Sequence, residues 1–129
     1  MTTWTADDLE RFGEAEEVRI AGMRRDGSLR KPVIVWVVRV DDELYTRSVN
    51  GPGAAWFRGV QASHRGHLTA GDAGADVDFI DGSKPADDDL IDAAYQSKYG
   101  RYPGPVRSIT SATARPTTLR LVPHQPDQE

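Results

Sequence analysis

The sequence contains no cysteine, which removes disulfides, thiolate nucleophiles and cysteine-based zinc sites together. Lysine is scarce: Lys31, Lys84 and Lys98 stand against 13 arginines. No apolar run is long enough for a bilayer, since the longest, Val33 to Val38, falls far short of the roughly 20 residues a spanning helix needs. No N-terminal segment joins a positive start to an apolar stretch, so a cytoplasmic location is expected. Gly-x-Ser-x-Gly, Walker and Gly-x-Gly-x-x-Gly patterns are also missing, which takes the strongest support from α/β-hydrolase, P-loop and Rossmann readings.

What remains is 129 residues, 38% hydrophobic and 28% charged, the balance of one soluble globular domain. The net charge of −4 hides a block pattern: −5 over 1–18, +5 over 19–65, −7 over 66–92, +5 over 93–126 and −2 over 127–129. An acidic chain is a poor candidate for nucleic acid, because counterion release rewards a basic one. Two basic blocks can converge on one anionic small molecule; equally, acidic helices and basic strands can neutralise each other across the surface.

Local signals predict most elements. Thr5 caps a helix with Asp7, Asp8 and Glu10 near its positive start, and Trp4 and Leu9 stand at the two ends of a hydrophobic staple. Gly13 is its expected stop. Val18 to Gly22 alternates as a strand, followed by a turn at Asp26-Gly27. Val33 to Val40 is β-branched and apolar on both faces, so it is expected in the middle of a sheet or barrel. Asp41-Asp42-Glu43 connects it to a strand over 44–49. A glycine-rich break at 50–53 precedes a helix over 54–62, and a hairpin over 66–81 turns across Gly71 to Gly74. Asp87 caps a further helix that Gly100 ends. Three prolines over 101–116 predict a loop, and 117–122 a closing strand. The sum is an α+β domain with about six strands and two or three short helices.

Catalytic constellations are sparse. His64, His67 and His124 share no helical face and form no ligand set, and the Asp87-Asp88-Asp89 run reads as a helix start rather than a cation site. Two segments stand out. Arg24-Arg25-Asp26-Gly27-Ser28-Leu29-Arg30-Lys31 folds basic flanks around a turn, which is an anion pocket or an exposed hairpin with solvated arginines. Ser48-Val49-Asn50-Gly51-Pro52-Gly53 delivers Ser48 and Asn50 to a break before a helix start, where Trp56 is a stacking wall or plain core.

Read in order, Arg24-x-x-Gly27-x-x-Arg30, the apolar strand, Tyr45, Asn50-Gly51 and Trp56-Phe57 resemble the deazaflavin-dependent nitroreductase-like proteins of the flavin-binding split-barrel superfamily. More closely, the chain resembles the bacterial family of domain of unknown function 2255. Val35 to Val40, Arg47 to Gly51, Ala55 to Gly59, Ala93 to Tyr102 and Thr117 to Val122 carry that likeness, over roughly residues 3–123. The resemblance implies a six-stranded antiparallel split barrel; the domain is expected over 1–123, and the polar end at 124–129 as a flexible tail. The resemblance also implies FMN or a deazaflavin of the F420 type, with Arg24, Gly27, Arg30, Asn50 and Gly51 on the cofactor's phosphate side; Arg58, Ser48 and Trp56 are expected to add a charge, a hydrogen bond and an aromatic wall. Lys98, Tyr99 and Arg101 would lie on the substrate side, the reaction being reduction of small organic molecules, and by analogy the assembly is a homodimer. The alternative keeps the barrel as a cofactor-free binding module, isomerase or cyclase, with Arg47, Tyr45, Trp36 and Tyr99 around an apolar pocket, or as a homodimeric interaction domain without chemistry.

Overall fold

The apolar stretch expected as one central strand is divided at Trp36. In the computed structural model, which describes residues 4–82 and 84–124, β1 (Val18–Gly22) is followed by β2 (Val33–Val35) and β3 (Val37–Val40). The sheet runs β2-β1-β5-β6-β7-β4-β3, so the two halves of one stretch occupy its opposite edges. The backbone itself closes the barrel at Trp36. Its carbonyl accepts from the Thr46 hydroxyl and the Tyr95 hydroxyl, each at 2.8 Å, in place of a strand neighbour. The both-faces pattern has a different cause from central placement. Val37 packs in the barrel core, while Val38 packs outward in a second core.

The remaining strands are β4 (Glu43–Thr46), β5 (Arg65–Ala70), β6 (Ala73–Asp81) and β7 (Leu119–Pro123), all paired antiparallel. Counting 33–40 as one interrupted strand leaves the six-stranded antiparallel barrel that the sequence implied. Two hairpins are tighter than expected. Gly71 at φ 59° and Asp41 at φ 55° supply the positive backbone angle of a two-residue turn, so Ala70 pairs Ala73 and Val40 pairs Glu43.

Helix α1 (Ala6–Glu14) begins where its cap predicts: the Thr5 hydroxyl accepts from the Asp8 amide at 3.1 Å. Trp4, Leu9 and Phe12 enter the barrel core, and the Trp4 indole donates to the Leu121 carbonyl at 2.8 Å. Helix α2 (Ala55–Ser63) lies against β1 and β5. Helix α3 (Pro85–Tyr99) starts two residues before the expected cap, leaving Asp87 and Asp88 inside its first turn. The predicted loop after Gly100 is partly helical, α4 (Pro103–Ile109) with a 3₁₀ turn at Arg115–Thr117. Proline in a first turn loses no helical hydrogen bond, so Pro103 and Pro105 start a helix rather than prevent one. Among the described residues there are therefore four α-helices rather than two or three.

Two cores result. Val18, Ile20, Val35, Val37, Leu68, Val77, Phe79, Leu119 and Leu121 meet the α1 and α2 side chains in the barrel, while Val38, Tyr45, Ile91, Tyr95, Tyr99, Val106 and Ile109 join the outer wall to α3 and α4. At the C-terminal end, the His124 amide donates to the Asp76 carbonyl at 2.9 Å and its ring pairs with Asp78 at 3.0 Å; the rest of the expected tail, 125–129, lies outside the described residues.

Candidate functional site

The turn between β1 and β2 is tied internally. Gly27 sits at φ 91°, Met23 bridges Leu29, and Asp26 accepts from the Ser28 amide at 3.0 Å and hydroxyl at 2.7 Å. Those two bonds hold the Asp26 carboxyl below its ordinary pKa, with Arg24 adding a smaller electrostatic pull. Arg24 donates across the hairpin to the Leu29 carbonyl at 2.8 Å, and the Arg30 chain crosses to α2. A Cβ on Gly59 would stand 2.8 Å from the Arg30 Nε, so glycine there lets the guanidinium lie on the helix.

Arg24, Arg25 and Arg30 meet Arg65, from the start of β5, around a hollow of about 370 Å³ at the C-terminal end of α2, where the helix dipole favours cations. Among the described residues, Arg24, Arg25 and Arg30 form no salt bridge, whereas Arg65 approaches Asp78 at 4.0 Å. Arg24 and Arg30 also border a second hollow of about 300 Å³ whose walls include Ile20, Val33 and Trp56. Trp56 in turn borders a third, of about 230 Å³, with Ile34, Val35, Trp36, Val49, Pro105 and Ile109. Shared walls at Arg24, Arg30 and Trp56 set these hollows in a row along α2, the α2 groove, cationic at one end and apolar with two indoles at the other, with Trp56 standing between the last two.

At the apolar end stands Arg47, a wholly buried guanidinium. Its Nη1 bonds Asp92 at 2.5 Å and the Ile109 carbonyl at 3.1 Å, its Nε bonds the Thr118 hydroxyl at 2.8 Å, and its Nη2 reaches Asp88 at 3.4 Å. Asp92 also holds Arg115. The network joins β4, α3, α4 and the chain before β7, so it fixes the floor of the cavity.

The structure does not bring all the expected residues to the groove. Ser48 is buried and its hydroxyl donates to the Gly51 carbonyl at 2.6 Å, while its amide donates to Thr117 at 2.8 Å. Gly51, at φ 83° and with Thr113 2.8 Å from a would-be Cβ, completes that turn. Both shape the loop from inside. Asn50 and Arg58 are exposed and border none of the three hollows. Of the alternative set, Trp36 and Arg47 line the cavity. Tyr99 stacks behind Trp36 at 3.9 Å, its rings nearly parallel, and Tyr45 packs in the outer core.

Lys98 and Arg101 line a different hollow, with Glu14, Glu16 and Arg39, that shares no wall with the groove. The two basic blocks of the chain therefore do not meet at one cleft. Glu16 accepts from Tyr102 at 2.7 Å and pairs with Arg101, and these bonds hold its carboxyl below its ordinary pKa. Burial lowers the Lys98 amine to about 8, Glu14 and Glu16 opposing the fall. Between about pH 8 and 10 the unfolded chain thus binds more protons than the folded one, and stability rises with pH. Above that window the unfolded tyrosines ionise while Tyr95 and Tyr99, pushed up by burial, do not, and the trend reverses. Urea midpoints at pH 8 and 9.5 are expected to rise in the wild type and stay level in Lys98→Met; a level wild type refutes the burial of this charge.

Residues 8–121 match a family described as an uncharacterized protein conserved in bacteria (DUF2255). This chain belongs to DUF2255. No curated protein matches its sequence. Among solved structures, the DUF2255 chain is similar to HutZ, the heme storage protein of Vibrio cholerae, with 11% identity over 93% of this chain and 90% of that one and a TM-score of 0.62. It is also similar to an FAD-binding protein of Mesorhizobium loti, at 17% identity, 95% and 92% coverage and TM-score 0.55. An F420 reductase aligns at 16% identity, 91% and 93% coverage and TM-score 0.53. At such identities the likeness is one of fold, the antiparallel barrel.

Sequence reasoning placed Arg25 in the basic turn without giving it to the cofactor, and missed Arg65 in the DUF2255 groove. Arg65 arrives because β5 pairs β1 with Gly66 opposite Gly22, and the Met23 amide donates to the Arg65 carbonyl at 2.9 Å. That register is long-range. The one local signal was the basic composition of 19–65, which did not say which arginines converge.

Proposed function

We propose that this DUF2255 protein binds a flavin-type cofactor, FMN or a deazaflavin of the F420 type, along the α2 groove and serves as a cytoplasmic reductase of small organic molecules. One observation carries the reading: the groove joins a four-arginine end to an apolar end with Trp36 and Trp56. The donor set fits such a ligand. Arg24, Arg25 and Arg30, without salt bridges among the described residues, suit a phosphate or a polyanionic tail, and indole faces suit a fused ring. The fold is shared with proteins whose names state FAD and F420.

When bound, such a ring supplies hydride chemistry. The chain would position it: Arg24 and Arg30 hold the tail, Gly59 keeps Arg30 against α2, Trp56 separates the middle of the groove from the apolar cavity, and Arg47 braces that cavity. Homodimerisation belongs to the same reading, since Ile34 and Val49, 55% and 43% exposed, rim the cavity where a second copy would exclude water.

The test is titration of the purified protein with FMN and with a deazaflavin, followed by visible absorbance and by tryptophan fluorescence, to which Trp36 and Trp56 contribute with the buried Trp4. Saturable binding of either is expected; no binding of both up to ~1 mM, equivalent to about −4 kcal/mol, overturns the proposal. Gly59→Ala refines it. Alanine favours a helix interior by up to about 1 kcal/mol, so the fold should be no less stable, while the new methyl displaces Arg30 and weakens the ligand several-fold. Unchanged affinity would remove Arg30 from the tail site.

A further inference from the structure

We propose that the hollow between α1, β3 and the end of α3 is a second site, at which the Lys98 amine captures a small aldehyde or ketone as an imine. The inference is independent of the cofactor reading, because this hollow of about 510 Å³ shares no wall with the α2 groove. Its geometry isolates one amine. Lys98 donates to the Val37 carbonyl at 2.5 Å and stands 5.0 Å from the centroid of the Tyr99 ring. Among the described residues it forms no salt bridge: Glu16 is engaged by Arg101 and Tyr102, and Arg39 is turned to Asp42 and to the Asp41 carbonyl.

The charged and titratable groups around the amine are Glu14 at the end of α1 and Glu16 after it, Arg39 on β3, and Tyr99, Arg101 and Tyr102 at and after the end of α3. None neutralises it by contact, so partial burial favours the uncharged amine. With a pKa of about 8, about a quarter of the amine is free at pH 7.5, against about one part in a thousand for an ordinary lysine. A weaker base is also a weaker nucleophile, as thiols show, and the net advantage is about tenfold.

The chemistry is a condensation. The nitrogen lone pair attacks the carbonyl carbon, a C–N bond forms, and the oxygen takes a proton to give a carbinolamine. The nitrogen gives up one proton as the carbinolamine forms; its remaining proton and the hydroxyl then leave together as one water, giving the imine with no oxidant or reductant consumed. The open hollow exchanges both protons with solvent.

Glyoxylate and glycolaldehyde, one anionic and one neutral, serve as probes on the wild-type protein at pH 7.5, with cyanoborohydride to trap the imine and peptide mass mapping to locate it. Lys98 is expected to be labelled at least about tenfold faster than Lys31 or Lys84, with a rate that saturates in one or both probes and a pH midpoint near 8. Labelling of Lys98 no faster than of the other lysines overturns the proposal. So does a rate strictly linear in both probes, which means a reactive amine without a binding site. Because only wild-type protein is used, failure to fold cannot produce either result, and FMN titration remains a separate measurement.

Discussion

Arg47→Ala is expected to lower the unfolding free energy by about 3–5 kcal/mol, the cost of breaking a buried ion pair by removing one partner. The side chain has no exposure to water, and its loss strands four acceptors at once: Asp92, Asp88, the Thr118 hydroxyl and the Ile109 carbonyl. Asp92 keeps Arg115, which sets the loss at the lower end of that range. Arg47→Lys should recover only part, because one ammonium cannot replace a fork whose three nitrogens bond α3, α4 and the segment before β7. Pairing Arg47→Met with Asp92→Asn should be less damaging than Arg47→Ala alone, since the stranded charge goes with its partner. Urea unfolding at neutral pH measures all three. A loss below about 1 kcal/mol for Arg47→Ala would mean that the network behaves as an exposed one.

Arg47 also shows where legibility ended. Its neighbours in sequence mark the end of a strand, and an arginine there is ordinarily solvated. Only the pairing of β4 with β7 and the packing of α3 bring Asp92 and Thr118, 45 and 71 residues away, to its guanidinium. Features written over a few residues were legible: the Thr5 cap with Trp4 and Leu9, the Asp26-Gly27 turn, and Val18 to Gly22 as a strand. The barrel was legible through the family resemblance, and the family itself is matched over residues 8–121. The break at Trp36 was not, because a run apolar on both faces reads alike whether it lies mid-sheet or is split between two edges with a helix outside. Helix α4 was hidden by Pro103 and Pro105, which count against a helix everywhere except its first turn. For the site, Arg24, Arg30 and Trp56 were legible as a basic turn and an aromatic helix. Ser48 was not legible as a turn-former, because its hydroxyl partner, Gly51, is a carbonyl that carries no side-chain signal.

Arg24→Ala combined with Arg30→Ala is expected to weaken FMN or deazaflavin binding about hundredfold, close to 3 kcal/mol. A hydrogen bond to a charged group contributes about 1.5–3 kcal/mol, and the lower value applies because both arginines are exposed to water. Each single variant should lose about tenfold, and the two losses should add unless one phosphate bridges both guanidiniums, in which case the double variant loses less than their sum. Stability should hardly change. Arg24 bonds only within its own hairpin, to Leu29 and Ser28, and Arg30 lies on Gly59 without an ion pair. Arg107→Ala, on the exposed face of α4, removes the same unit of charge away from the groove and should leave affinity within about twofold, as screening at ordinary salt allows. The wild-type affinity should fall as salt rises and that of the double variant should fall less, since fewer charge contacts remain to be screened. Equal salt slopes with equal affinities would place the anionic end of the ligand somewhere other than the hollow of Arg24, Arg25, Arg30 and Arg65.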